Sequence, residues 1–198
     1  GIVEQTDIAD QTAQSVDLRF EHSEATYLDL EYAQTRGPGF GSSVSSNGGL
    51  IITNMASAGT SAGTGTAWMA RGQVDLADMG SRTPGTLWAY FENRGAGFST
   101  LDYQTTTAEK LWGFSADVQA SEQLGLRLYY DDYENTAGRA RREGGVELRY
   151  TPSEKLHVDI GVEHLEKTTP GGLPKDNGSR TDVAARLTMM PSDGLEYY

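Results

Sequence analysis

No cysteine occurs among the 198 residues. Disulfide staples and thiolate metal sites are therefore excluded, and an oxidising cell surface is compatible with the composition without being required by it. Long apolar runs are missing as well. Mean hydropathy is -0.51, and no stretch approaches the roughly 18 apolar residues that a helical membrane span needs. Hydrophobic residues make up 37% of the chain, a share too low to fill a thick two-layer core with ease. Basic residues are scarce: 16 Lys and Arg stand against 28 Asp and Glu, giving a net charge of -12. Phosphate backbones would be repelled by such a surface, so no nucleic-acid partner is expected. The opening Gly1-Ile2-Val3-Glu4-Gln5 has neither a basic start nor an apolar run, so no signal peptide is visible and an exported protein would be seen here mature or in part.

What is present is a period of two. In Leu156-His157-Val158-Asp159-Ile160-Gly161-Val162-Glu163 every even position is aliphatic and every odd one is polar or Gly, the pattern of a β-strand with one apolar and one hydrophilic face. Similar stretches recur at residues 16–21, 26–32, 67–77, 86–92, 112–118, 124–131, 146–150 and 183–189, and a further strand starts at Leu195. About ten strands follow from this spacing, most of them near the about 9–11 residues of a tilted membrane strand.

The connections alternate in length. Tight turns are expected at residues 22–24, 80–85, 120–122, 151–154 and 191–194, the last built from Pro, Ser, Asp and Gly, residues that favour a turn. Long polar connections are expected at 34–66, 93–109, 134–143 and 166–179. The first of these is a Gly/Ser/Thr-rich surface loop, with Leu50-Ile51-Ile52 as a docking patch or short strand. Greasy-faced strands with short turns at one end and long loops at the other predict an all-β fold. The expected architecture is an antiparallel up-and-down meander, one domain over 1–198, forming a transmembrane β-barrel or part of one. Residues 1–15 read as a loop-like lead-in. Because that lead-in falls in a loop position and the last strand is brief, the expectation is a segment of a larger barrel. Its edges would then pair with the remainder of that barrel or with further copies.

Two sets of side chains carry the functional expectation. Phe20, Tyr32, Trp68, Trp112, Tyr130 and Tyr150 share the apolar parity near the strand ends, as aromatic girdles at two water–lipid boundaries would. On the opposite parity runs a charged row: Asp17, Arg19, Glu21, Asp29, Glu31, Arg71, Asp75, Arg127, Asp131, Glu147, Arg149, His157, Asp159, Glu163, Asp182 and Arg186. A dry core would make so many charges prohibitive, so a hydrated lumen with cross-strand ion pairs is expected. The row either tunes ion passage or is a solvated inner wall.

Catalytic and metal signals are weak, and no enzyme and no cofactor are expected. His157, Asp159 and Glu163 share a face, but only three histidines exist in all, which favours a structural role over a metal site. Asp131-Asp132 with Glu134 and Asn135, and Asp176-Asn177-Gly178, offer hard oxygen ligands without the spacing of a twelve-residue calcium loop. Weak Ca2+ binding in these loops is the most they suggest. Residues 59–65 lack the lysine of a phosphate loop.

Segments such as Gly125-Leu126-Arg127-Leu128-Tyr129-Tyr130-Asp131 and Val146-Glu147-Leu148-Arg149-Tyr150-Thr151-Pro152 resemble strands and periplasmic turns of Gram-negative outer-membrane β-barrel proteins. The resemblance covers roughly residues 16–198 and lies in pattern. It implies export, insertion into the bacterial outer membrane with lipid as partner, short turns facing the periplasm, and service as a porin-like diffusion pore or a surface anchor. A different class stands beside it: a soluble, secreted β-sandwich or β-solenoid acting as a glycan-binding or surface-layer structural protein, its aromatic rings serving as sugar platforms.

Overall fold

The computed structural model describes residues 12–37, 42–45, 52–55, 63–99, 105–192 and 195–197. The strands are β1 Thr12–Ser23, β2 Thr26–Gly37, β3 Ser42–Ser45, β4 Ile52–Met55, β5 Gly63–Asp75, β6 Gly85–Arg94, β7 Glu109–Ser121, β8 Leu124–Asn135, β9 Ala140–Ser153, β10 Leu156–Thr168, β11 Gly178–Ser192 and β12 Leu195–Tyr197. Ten of them form one sheet in the order β1-β2-β5-β6-β7-β8-β9-β10-β11-β12, and β3 with β4 forms a separate hairpin. Every pairing is antiparallel. No pairing among the described residues joins β12 back to β1, so the sheet stands as an open meander.

Alternation in the sequence becomes two chemically opposite faces, because paired residues in a ladder point the same way. One row runs Val74–Leu87–Ala116–Leu128–Val146–Val162–Val183 from β5 to β11. The next runs Val118–Leu126–Leu148–Ile160–Ala185. Nothing among the described residues covers this face. Leu18 is 57% exposed and Val183 72%, and apart from Met79 and Leu173 every large exposed hydrophobic lies on it. The only buried apolar side chains described are Ala67, Phe98 and Ala116. A water-soluble sandwich would bury this surface under a second sheet.

Several boundaries differ from those expected. The strand β1 begins at Thr12, so the lead-in of 1–15 ends in strand, with 1–11 outside the described residues. The loop expected over 34–66 is shorter, because Gln34 pairs with Thr66, Thr35 with Gly65, Arg36 with Thr64 and Gly37 with Gly63. Small and β-branched residues extend this ladder where composition alone suggests a coil. Ile52 opens β4 as a short strand; Leu50 and Ile51 lie outside the described residues. The long charged connection expected over 134–143 shrinks to residues 136–139. Asn135 explains this. Its side chain accepts from the N–H groups of Ala137 (3.1 Å) and Arg139 (3.0 Å), while Gly138 supplies a positive φ of 81°. Conversely, the turn expected at 80–85 is a longer connection over 76–84. It is held by N–H groups of Asp78, Met79 and Gly80 donating to the carbonyls of Asp75, Leu76 and Ala77. Length does not segregate with end as expected: the nine-residue connection 76–84 falls with the two-residue turns, and the four-residue connection 136–139 falls at the other end. Two-residue turns join β1 to β2, β7 to β8 and β9 to β10, with the 76–84 connection at that same end, and 38–62, 95–108, 136–139 and 169–177 lie at the other.

Candidate functional site

The polar face is the chemically rich surface, and the register places the whole charged row on it. Asp29 sits at a junction of three strands: Arg19 of β1 donates through Nη1 to both of its oxygens at 3.1 Å, and Arg71 of β5 donates through Nε at 3.2 Å. Arg19 also reaches Glu21 at 2.8 Å and lies 4.1 Å above the Tyr27 ring. Further along, Arg149 donates to Asp117 at 2.8 Å and approaches Glu147 at 3.7 Å. Arg127 lies in register between Asp117 and Glu147, and Asp159 between Arg149 and Arg186. Asp75 stands opposite Thr86, and Asp131 opposite Glu143. Four directly opposed pairs carry like charge: Asp17 with Glu31, Asp131 with Glu143, Arg141 with Lys167 and Glu163 with Asp182. Like charges in that position destabilise a ladder unless water solvates them.

A motif not anticipated from sequence recurs twice on this face. Tyr90 of β6 lies across Gly113 of β7 and donates to Asp131 of β8 at 2.7 Å. Tyr129 of β8 lies across Gly145 of β9 and donates to Glu163 of β10 at 2.8 Å. In both rows a Cβ on the glycine would sit 2.7 Å from the tyrosine ring, so the missing side chain is what lets one residue tie three strands. Other members of the polar face also went unrecognised. Asp117 was readable from parity alone, whereas Glu109, Arg94 and Glu143 lay in stretches read as loop.

The aromatic set occupies the apolar face. Tyr32 pairs with Trp68, whose ring stacks on Phe91 at 4.6 Å. Trp112 meets Tyr130 at 5.2 Å, and Phe114 meets Tyr130 at 6.1 Å. Phe20 pairs with Leu28, and Tyr150 with Leu124 and Val158. Phe91 and Phe114 were not in the expected girdle, although their parity gives them away. Beyond these rings, on the same parity, the chemistry turns polar. Lys110 bonds Glu134 at 3.4 Å, and Arg142 bridges Asp132 at 3.1 Å and Glu166 at 3.7 Å.

The apolar band does not follow the hydrogen-bonded rows; it crosses them obliquely. The row through Leu18 runs Leu30, Ala70, Phe91, Trp112, Asp132, Arg142, Glu166 and Ser179. It leaves the band between Trp112 and Asp132. In β1 the band is centred on Leu18, but in β11 it lies between Ala185 and Leu187, about seven residues beyond Ser179 on ladder geometry. That offset is about 23 Å along the strand over a sheet width of about 38 Å, taking ~3.3 Å per residue and ~4.8 Å per strand. Strands crossing a flat apolar slab in this way are tilted by roughly 30°, close to the 35–45° typical of closed barrels.

The candidate metal residues do not converge. Asp131 and Asp132 are neighbours in a strand and therefore point to opposite faces, one to Tyr90 and the other to Arg142. Asp176 and Asn177 accept from the N–H groups of Leu173 and Thr169. His157 Nδ1 lies 3.1 Å from Thr151 Oγ1, and Glu163 is engaged by Tyr129. Among the described residues, no group of three or more acidic or histidine side chains is placed to hold a metal ion. Compared with models of protein families, with curated proteins and with solved structures, the chain matches none.

Proposed function

We propose that this chain forms wall of a transmembrane β-barrel in a bacterial outer membrane, with its apolar band in lipid and its charged face lining a hydrated lumen. Its role is non-enzymatic, a diffusion pore or surface anchor. One observation carries the reading: the apolar band runs obliquely across the ladder while its rims change to aromatic and then to ion-paired residues. A slab of hydrocarbon imposes a straight boundary on tilted strands, and a sequence adapted to it must shift its apolar residues from strand to strand in the same sense. Strand lengths support it, since the nine long strands have 10 to 15 residues, enough to cross at that tilt. The unshielded charges on the other face are compatible with water and not with a dry core.

Nitroxide labels placed one at a time from Leu156 to Glu163 in the vesicle-inserted chain test the assignment. Even positions should be accessible to oxygen and odd positions to a water-soluble nickel chelate. Equal water accessibility on both faces would end the membrane reading. Polarised infrared dichroism on oriented bilayers should independently return a strand tilt of about 30–45°.

A further inference from the structure

Three glycines of the polar face stand in different surroundings. Tyr90 covers Gly113 and Tyr129 covers Gly145, and a Cβ at either would meet the ring at 2.7 Å. At Gly161 of β10 no described side chain lies over the backbone: a Cβ there would meet only the Val146 carbonyl oxygen, at 4.0 Å. Its ladder neighbour on β11 is Ala184, so two adjacent strands together present a single methyl group. They floor a basin of about 700 Å³, a size typical of small-ligand sites.

The basin is polarised along β10. At one end Arg149, Asp159 and Arg186 stand in register on three strands. Arg149 is engaged by Asp117 at 2.8 Å and by Glu147, the β9 neighbour of Gly161, at 3.7 Å. Arg186 makes no hydrogen bond or ion pair among the described residues. At the other end the carboxylates of Glu163 and Asp182 are directly opposed. Glu163 accepts from the Tyr129 hydroxyl at 2.8 Å, and Asp182 pairs with Arg180 at 2.6 Å. Two opposed carboxylates favour a cation between them, and a guanidinium fork favours a carboxylate. The two ends are separated by the four-residue step from Asp159 to Glu163, about 13 Å at ~3.3 Å per residue. An extended tripeptide spans about 10 Å, and the inward reach of the lining side chains closes the difference. A simple anion would meet four carboxylates against two guanidinium groups, and a simple cation would leave Arg186 unused.

We propose that the polar face of β8 to β11 carries a binding site for a short zwitterionic peptide of about three residues. Its ammonium sits between Glu163 and Asp182, and its carboxylate sits on Arg186. An aromatic middle side chain lies on Gly161 and Ala184, as the protein's own tyrosines lie on Gly113 and Gly145. All the walls come from four consecutive strands. The site is therefore complete whether or not the sheet closes, and it goes beyond the barrel reading without resting on it.

Titration calorimetry of the full chain in detergent, with the peptide Gly-Phe-Gly as probe, tests the site. Binding should saturate with a Kd below about 1 mM. Acetylating the peptide's N-terminus or amidating its C-terminus should weaken binding about fivefold each, because each removes one ion pair. Gly-Gly-Gly, which lacks the ring, should lose a similar factor of about five. The variants should then cancel these differences one by one. Asp182→Asn should erase the gap between free and acetylated peptide, and Arg186→Gln the gap between free and amidated peptide. Gly161→Leu, which occupies the floor, should erase the gap between Gly-Phe-Gly and Gly-Gly-Gly. Failure to saturate by about 10 mM, or equal affinity for all four peptides, overturns the site. Losses that are uniform across the peptides in every variant overturn the assignment of its ends and floor. No membrane enters this measurement, so its failure leaves the barrel reading standing. Failure of that reading shows separately, in the label accessibilities along β10.

Discussion

Asp29 on one face of β2 accepts hydrogen bonds from two arginines on two neighbouring strands, whereas Leu28 and Leu30, the residues on either side of it, lie 42% and 36% exposed on the other face. The same backbone thus carries two surfaces stabilised by different means. The polar face is held by directional contacts that span up to three strands, such as Tyr129 across Gly145 to Glu163. The apolar face has stacked rings and ladder neighbours but nothing laid over it. Left in water, that face would be a strong aggregation hazard. On the barrel reading proposed above, the surrounding medium would complete the fold, with water against one face and an apolar solvent against the other.

The comparison breaks most sharply at the centre of the band. Ile160→Arg should cost about 2–4 kcal/mol in lipid vesicles, the depth-dependent penalty for a cation on a lipid face. Its polar-face neighbour Asp159→Asn should change stability by no more than about 0.5 kcal/mol, as surface substitutions generally do. Urea unfolding in vesicles measures both. Equal costs would mean that the two faces meet the same medium.

The next effect sharpens the polar face. Gly113→Ala and Gly145→Ala each push a methyl into a tyrosine ring and should destabilise by about 1–3 kcal/mol, the usual range for overpacking. Tyr129→Phe keeps the ring and loses only its bond to Glu163, for a cost of about 1 kcal/mol. If Gly145→Ala proves as neutral as Gly161→Ala, whose methyl meets nothing closer than the Val146 carbonyl oxygen at 4.0 Å, the tyrosine does not lie across the strand in solution. Smaller still is the rim of the apolar face, where Arg142→Ala removes partly exposed bonds to Asp132 and Glu166. There the expected loss is about 1 kcal/mol or less, and it should shrink as salt is raised.

Alternation made the two faces and the ten strands of the main sheet legible from sequence, though not the separate β3–β4 hairpin, because period-two patterning is local and Leu156 to Glu163 states it without interruption. Strand ends were less legible. Arg141, Arg142 and Glu143 look like loop residues by charge, yet they continue the β9 ladder, since a strand with water on one face and a polar rim on the other tolerates charge on both parities. Thr35, Thr64 and Gly65 look like coil by composition, yet they continue the β2–β5 ladder, and Thr35 accepts from the Ser99 N–H. The tyrosine–glycine–carboxylate rows could not be read at all without the register, because each joins residues about 20 positions apart in sequence on three successive strands. The oblique band is of the same kind: every strand shows its own apolar stretch, but the drift exists only once strands are aligned.

The smallest expected effect lies at the short-turn end, where the 76–84 connection is tied to the β1–β2 turn. Asp78 accepts from the hydroxyls of Ser23 and Thr26, both at 2.5 Å. Ser23 Oγ in turn accepts from the N–H groups of Ala25 and Thr26, and Thr26 Oγ1 from that of Asp75. The bond from Ser23, then that from Thr26, hold the Asp78 carboxyl below its ordinary value against a weaker opposing effect of desolvation, with His22 adding a small attraction. A carboxylate whose folded pKa is depressed stabilises the fold above its unfolded value, about 3.9, and loses that contribution as pH falls through the folded one. Asp78→Ala should therefore lower the melting temperature slightly at pH 7, and parent and variant should converge in acid below about pH 4. Because the group is exposed, the shift should be smaller than that of Arg142→Ala. A difference that persists unchanged into acid would assign the effect to the loop's packing, and the carboxylate would not be the tie between these two turns.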